Sequence, residues 1–157
     1  MKNDLIISED KIFRIEGVIP KNPTSYIAIG DDNNNLEITF DSSTLKITSI
    51  ESSYVDNILN ENLYLPSYKE DKRISRCVAP TFSYDEEFPP TYVLNYNREE
   101  LDILINDNLE PSYYYLDGRV EYYYDDEFNL TFVRVNSLKE EEYDFFEKIY
   151  SSKKRIG

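Results

Sequence analysis

Two runs of three tyrosines flank the dipeptide Asp117-Gly118, and three acidic residues follow the second run. An Asp-Gly pair between alternating residues is a strong signal for a two-residue β-hairpin turn of type I′, in which both central residues have a positive φ. Such a turn pairs Tyr113 with Tyr122 across the two strands. The sequence therefore predicts a tyrosine-rich hairpin over residues 113–124.

The predicted hairpin divides its tyrosines between two faces, because successive side chains of a strand point to opposite sides. The face predicted to lie on the core comprises Tyr113, Tyr115, Val120, Tyr122 and Tyr124. The second face comprises Tyr114, Leu116, Arg119, Glu121 and Tyr123. This mixture of tyrosine and charge is typical of a solvated or partner-contacting surface. The alternative is that a helix covers the second face.

The remaining strands are indicated by alternation of apolar and polar residues between proline and glycine breaks. Strands are predicted at 11–20, 25–30, 36–40, 45–50, 91–96 and 128–135, with a further strand at 73–79 inside the irregular stretch 66–90. Three or all four of the first four strands are expected to form an antiparallel meander.

Three segments carry helix signals. A serine cap with an acid three residues later predicts a short helix at 53–63, and Asn97 followed by Glu99 and Glu100 predicts a second helix at 97–109. The last helix has a Ser137–Glu140 capping box and an inward stripe made of Tyr143, Phe146, Ile149 and Tyr150. We therefore expect a single acidic α+β domain over residues 1–157: a mainly antiparallel β-sheet, built from the meander and the tyrosine hairpin, with two or three helices including a C-terminal one.

The chain contains no histidine, which excludes Ser-His-Asp and Cys-His catalysis and the commonest transition-metal ligand. The single cysteine, Cys77, has neither a histidine nor a second cysteine with which to act, and the four glycines do not form a phosphate-binding motif. We therefore expect a non-catalytic protein with no metal and no cofactor.

The formal charge is −14, and most of it lies between Thr81 and Leu130, where 13 acids accompany two arginines. A field of this sign repels nucleic acid and anionic membranes and steers basic partners toward the protein. The first residues contain no signal-peptide pattern, and one cysteine suits a reducing compartment. We expect a cytoplasmic protein that binds a basic protein partner.

This profile, small, strongly acidic, rich in tyrosine and without catalytic machinery, resembles that of bacterial immunity proteins of contact-dependent or other polymorphic toxin systems. The resemblance lies in the general character of the whole chain and in no specific motif, so no family residue is carried over. It implies stoichiometric inhibition, in which an acidic tyrosine surface docks on a basic cognate toxin, often a nuclease, and occludes its active site.

The expected partner-binding residues combine tyrosines with neighbouring acids. They are Tyr84, Asp85, Glu86, Glu87, Tyr114, Glu121, Tyr123, Asp125, Asp126 and Glu127. Two other functions remain open at this stage. One is a phage-encoded inhibitor that mimics the charge of DNA, and the other is a carbohydrate-binding module or glycosidase that uses tyrosine stacking and paired carboxylates.

Overall fold

The computed structural model describes residues 4–8, 12–17, 22–31, 34–53, 58–61, 73–74, 92–105 and 111–156. Within these ranges the chain forms eleven strands and one helix. The strands are β1 (Asp4–Ser8), β2 (Ile12–Glu16), β3 (Thr24–Asp31), β4 (Asn34–Asp41), β5 (Ile47–Ser53), β6 (Ile58–Leu59), β7 (Val93–Tyr96), β8 (Leu101–Leu104), β9 (Tyr113–Asp117), β10 (Val120–Tyr124) and β11 (Leu130–Val135). The helix is α1 (Glu140–Ile156).

The first sheet has five antiparallel strands in the order β1-β2-β5-β4-β3. Strands β3, β4 and β5 confirm the predicted meander in its three-strand form, since β2 pairs with β5 and not with β3. The strand predicted at 11–20 is described as β2 at 12–16, and β1 is an additional strand. The turn after β4 is held by Asp41, whose Oδ1 accepts the backbone N–H groups of Ser43 and Thr44 at 2.8 and 2.9 Å. Alternation along the strands places Phe13, Ile15, Leu36, Ile38 and Ile50 on the buried face.

The second sheet has six strands in the order β6-β7-β8-β11-β10-β9. All neighbours are antiparallel except β6 and β7, which run parallel. Its strands β7, β9, β10 and β11 lie where the sequence predicts them. The strand predicted at 73–79 is described only at Arg73 and Ile74, where Arg73 forms an isolated bridge with Tyr114.

Two of the predicted helices are wrong, and the described fold has a single helix. The segment 53–63 begins as the end of β5 and includes β6, while residues 54–57 and 62–63 lie outside the described ranges. The segment 97–109 contains strand β8, and the part of it after residue 105 is not described.

Asn97 explains the second error. Its Oδ1 accepts the N–H groups of Glu99 and Glu100 at 2.8 and 2.9 Å, which is the bonding of a helix cap. Here the same bonds close the tight turn between β7 and β8, in which the N–H of Asn97 donates to the carbonyl of Glu100 at 3.0 Å. An asparagine side chain can make these bonds in a helix cap and in a turn, so the strand pairing of the following residues decides between the two structures.

The tyrosine hairpin is present, but its register differs from the prediction by two residues. Tyr113 pairs with Tyr124, and Asp117 pairs with Val120, so Gly118 and Arg119 occupy the turn. Gly118 has a φ of 64°, as the first central residue of a type II′ turn requires. A shift of two residues keeps every side chain on its predicted face.

A continuous apolar core lies between the two sheets and α1. Phe146 of α1 is fully buried at its centre, with its ring 5.4 Å from that of Phe13 in the first sheet and 6.4 Å from that of Tyr96 in the second. The predicted inward stripe of the helix is confirmed, since Phe146 and Ile149 are buried and Tyr143 and Tyr150 pack against the same core.

The start of α1 differs from the predicted capping box. Ser137 precedes the helix with a φ of 55°, and Glu142 accepts the N–H of Lys139 at 2.8 Å in place of the expected Ser137–Glu140 pair. Glu142 also binds both terminal nitrogens of Arg119, at 2.6 and 2.7 Å, and Arg119 reaches Asp4 of β1 at 2.7 Å. The turn of the tyrosine hairpin is thereby joined to the first strand and to the helix.

Candidate functional site

The predicted partner-binding residues separate into three groups. Tyr84, Asp85, Glu86 and Glu87 lie outside the described residues. Asp125, Asp126 and Glu127 form the turn between β10 and β11, and Tyr114, Glu121 and Tyr123 lie together on the second face of the hairpin.

The second face of the hairpin is buried, so the expectation that Tyr114, Glu121 and Tyr123 are presented outward is wrong. Tyr114 and Tyr123 are 2% and 0% exposed, and Glu121 is 9% exposed. The helix α1 does not cover them, because it packs on the core face of the same sheet. Among the described residues, the apolar side chains that touch this cluster are those of Phe132, Leu104 and Leu116.

An aromatic stack accounts for part of this buried face. The rings of Tyr123 and Phe132 are 4.2 Å apart and nearly parallel, and the ring of Tyr114 lies 6.3 Å from that of Tyr123. The three residues occupy neighbouring strands β9, β10 and β11 at opposed positions. Cross-strand aromatic pairs of this kind stabilise a sheet beyond the area that they bury.

A row of charged side chains continues the buried face toward β8. Asp102, Arg134 and Glu121 lie directly opposite one another on β8, β11 and β10. Nε of Arg134 lies 2.8 Å from Asp102 and 3.3 Å from Glu100, while Asn136 donates to Glu121 at 2.8 Å. Buried charges that are paired and hydrogen-bonded in this way hold a unique strand register.

Burial raises the pKa values of Asp102 and Tyr123 on this face. It raises the pKa of Asp102 to about 6, although the charge of Arg134 and its hydrogen bond act in the opposite direction. Burial, together with the neighbouring Glu121 carboxylate, also raises the pKa of Tyr123. Asp102 therefore takes up a proton more readily in the folded protein than in the unfolded chain.

A measurable pH dependence follows for Asp102. Because its folded pKa lies above the unfolded value of 3.8, its contribution to stability is greatest below that value and decreases as the pH rises toward 6. Asp102→Asn should remove this dependence. Between pH 3.8 and pH 6, the free energy of unfolding of the wild type should therefore fall relative to that of the variant. The fall should be less than about 1.4 kcal/mol per pH unit. Urea titrations over this pH range measure it, with the exposed Asp126→Asn as control. Parallel pH profiles for wild type and Asp102→Asn would contradict the assignment.

The turn between β10 and β11 is the exposed part of the predicted site. Oδ1 of Asp125 accepts the N–H groups of Glu127 and Asn129, each at 2.9 Å, and its Oδ2 accepts the side-chain amide of Asn129 at 3.1 Å. Asp125 thus braces the turn from within. Asp126 and Glu127 are exposed.

An aromatic pair stands beside these acids. Phe128 has a φ of 61° and is 38% exposed, and its ring stacks on that of the half-buried Tyr113 at 4.7 Å with an interplanar angle of 6°. Neither Phe128 nor Tyr113 is among the residues predicted to bind a partner. Phe128 could have been identified from the sequence, because it is a large apolar residue that directly follows a run of acids in a turn. We call Tyr113 together with residues 125–128 the acidic tip.

Across the described ranges, no group of three or more histidine, cysteine or acidic residues is placed to hold a metal ion. A helix long and apolar enough to span a membrane is likewise not found among the residues that the structure describes.

Neither the models of known protein families nor the curated protein sequences contain a match to this chain.

Proposed function

We propose that this chain is a non-catalytic binding protein that inhibits a basic partner, and that it is an immunity protein that neutralises a bacterial toxin by covering its active site. The observation that carries the proposal is the acidic tip, where exposed acids stand beside a stacked and partly exposed aromatic pair in a chain of charge −14. An aromatic anchor surrounded by charge is the usual composition of a protein-binding surface.

The roles of the tip residues follow from their exposure. Asp126 and Glu127 supply negative charge at the surface, which accelerates the approach of a basic protein. Phe128 and Tyr113 supply apolar area that is already ordered by stacking, so little conformational entropy is lost when a partner covers it. Asp125 keeps the turn in one conformation through its three hydrogen bonds.

The biological test is co-expression with the product of the neighbouring gene. The C-terminal domain of that product should kill cells only when this protein is absent, and the two proteins should co-purify. Normal growth of cells that express the neighbouring domain alone would contradict the immunity role.

Charge reversal tests the tip itself. Asp126→Lys combined with Glu127→Lys should reduce the association rate with the toxin domain by roughly tenfold or more and weaken its dependence on salt, because local steering is lost. The matched control is Glu37→Lys with Glu51→Lys, which changes the net charge equally at two exposed and facing residues of the first sheet. Stopped-flow binding measures both variants.

The control separates a local interface from the overall field of the protein. If the tip variant and the control slow association equally, only net charge matters and the tip is not the contact site. A tip effect that greatly exceeds the control effect supports docking through the tip.

A further inference from the structure

The outer edge of β3 differs from the rest of this acidic chain. Residues 22–30 contain no charged side chain, although the chain as a whole carries −14. β3 is an eight-residue strand at the end of the first sheet, and no strand in the described part of the chain pairs with its outer side. Natural proteins usually protect such an edge with lysine, proline or a bulge inside the strand, and the Thr24–Gly30 segment has none of these.

The register of β3 with β4 shows which backbone groups point outward. Ser42 donates its N–H to the carbonyl of Pro23 at 2.9 Å, and the pairing continues without a shift along the whole of β3. Hydrogen-bonded pairs alternate along an antiparallel ladder, so the odd-numbered residues of β3 bond to β4. The N–H and C=O groups of Thr24, Tyr26, Ala28 and Gly30 therefore point away from the sheet.

We propose that β3 is a dimer interface, in which it pairs antiparallel with β3 of a second copy about a two-fold axis through Ile27. A residue whose backbone groups point away from its own sheet must pair with such a residue of the second copy. In this register all four such residues of β3 are paired. Tyr26 then lies opposite Ala28 of the other copy, and Thr24 lies opposite Gly30. Registers displaced by two residues lose one of these pairs.

The side chains of the outer surface suit this pairing. Tyr26 is 65% exposed, and in the proposed register its ring lies across the small Ala28 of the second copy, twice in each dimer. Large and small side chains opposite one another fill a sheet surface without a clash. The pairing would join two five-stranded sheets into one sheet of ten strands.

The absence of charge along residues 22–30 favours a second copy of the chain over a basic partner at this edge. A basic partner finds no acid along residues 22–30 to attract it, whereas two chains of charge −14 repel each other least where neither carries charge. Dimerisation should therefore become stronger as salt rises, since salt screens the remaining repulsion. Binding of a basic partner at the acidic tip should change in the opposite direction.

A symmetric disulfide tests the register directly. In a Cys77→Ser background, Ile27→Cys should crosslink two copies under mild oxidation, because facing residues of a non-hydrogen-bonded antiparallel pair have Cα atoms about 4.5 Å apart, within the range of about 4.4–6.8 Å for a disulfide. Ser25→Cys is the matched control. It lies on the same face of β3 and is more exposed, but in the proposed register it faces Ile29 and lies far from the second Ser25.

A proline substitution supplies an independent measurement on the uncrosslinked protein. Ala28→Pro removes an N–H that points outward and leaves the hydrogen bonds to β4 in place. It should weaken dimerisation in sedimentation equilibrium by roughly tenfold or more, since the dimer loses two hydrogen bonds, whereas Ala28→Ser should not. Circular dichroism checks that each variant is folded.

The crosslinking and salt experiments distinguish a dimer through β3 from a monomer. Crosslinking of Ile27→Cys well above Ser25→Cys, together with dimerisation that strengthens with salt, supports the interface. Equal crosslinking of the two cysteine variants, or a wild-type chain that stays monomeric at high concentration and high salt, overturns it.

Discussion

Arg119→Met should lower the free energy of unfolding by about 3–5 kcal/mol, because it leaves a buried carboxylate without its cation. Both terminal nitrogens of Arg119 bind Glu142, whose side chain is 5% exposed. The same guanidinium reaches Asp4 at 2.7 Å and donates to the carbonyl of Ser137 at 3.2 Å. One substitution therefore weakens the joint between the hairpin turn, β1 and the start of α1.

Two further variants show whether the unpaired charge is the cause. Adding Glu142→Gln to Arg119→Met should restore much of the lost stability, since a neutral amide can still accept the N–H of Lys139. Arg14→Met should cost less than about 1 kcal/mol, because the Arg14–Glu16 ion pair is about half exposed. Urea unfolding measures all of these. A double variant less stable than Arg119→Met would show that the buried carboxylate is not responsible.

Phe146→Ala should lower the free energy of unfolding by about 3–5 kcal/mol, a large part of the total stability of a domain of this size. Phe146 is fully buried, and its ring meets Phe13 edge to face and lies near Tyr96. Truncation opens a cavity where the two sheets and the helix converge, and few neighbours can move to fill it.

The neighbouring Phe145 provides the control for this prediction. It packs against the same core but is only partly buried, so Phe145→Ala should cost clearly less than Phe146→Ala. Phe146→Leu should recover part of the loss by refilling the cavity. Equal costs for the two alanine variants would mean that the helix faces the core differently from the stripe in the structure.

The tyrosine hairpin shows which parts of the fold could be predicted from sequence. Its faces were predicted correctly because alternation depends only on whether residue positions are odd or even, and the observed shift of two residues preserves that. The turn itself was misplaced by one position, since Gly118 fits a positive φ in either of two turn types. The C-terminal helix was predicted because its apolar stripe is long and regular.

The errors arise where one local signal serves two structures. The side chain of Asn97 caps a turn with the bonds that would cap a helix, and only the pairing of β8 with β7 and β11 decides the outcome. The burial of Tyr114 and Tyr123 was missed because tyrosine beside charge is typical of contact surfaces and also of buried polar layers. Of the predicted site, Asp126 and Glu127 are exposed, whereas the aromatic residues beside them are Phe128 and Tyr113, which were not predicted.

The order of the strands has a consequence for how the chain folds during synthesis. Every described strand of the first sheet lies before residue 54, and the described strands of the second sheet and α1 come after it, so the strands of the first sheet are made first. Phe146, which closes the core, is synthesised roughly ninety residues later, a delay on the order of five to twenty seconds at usual translation rates. Until the second sheet and α1 have been made, the apolar inner face of the first sheet is only partly covered, which makes the nascent chain a substrate for chaperones that hold exposed apolar surface.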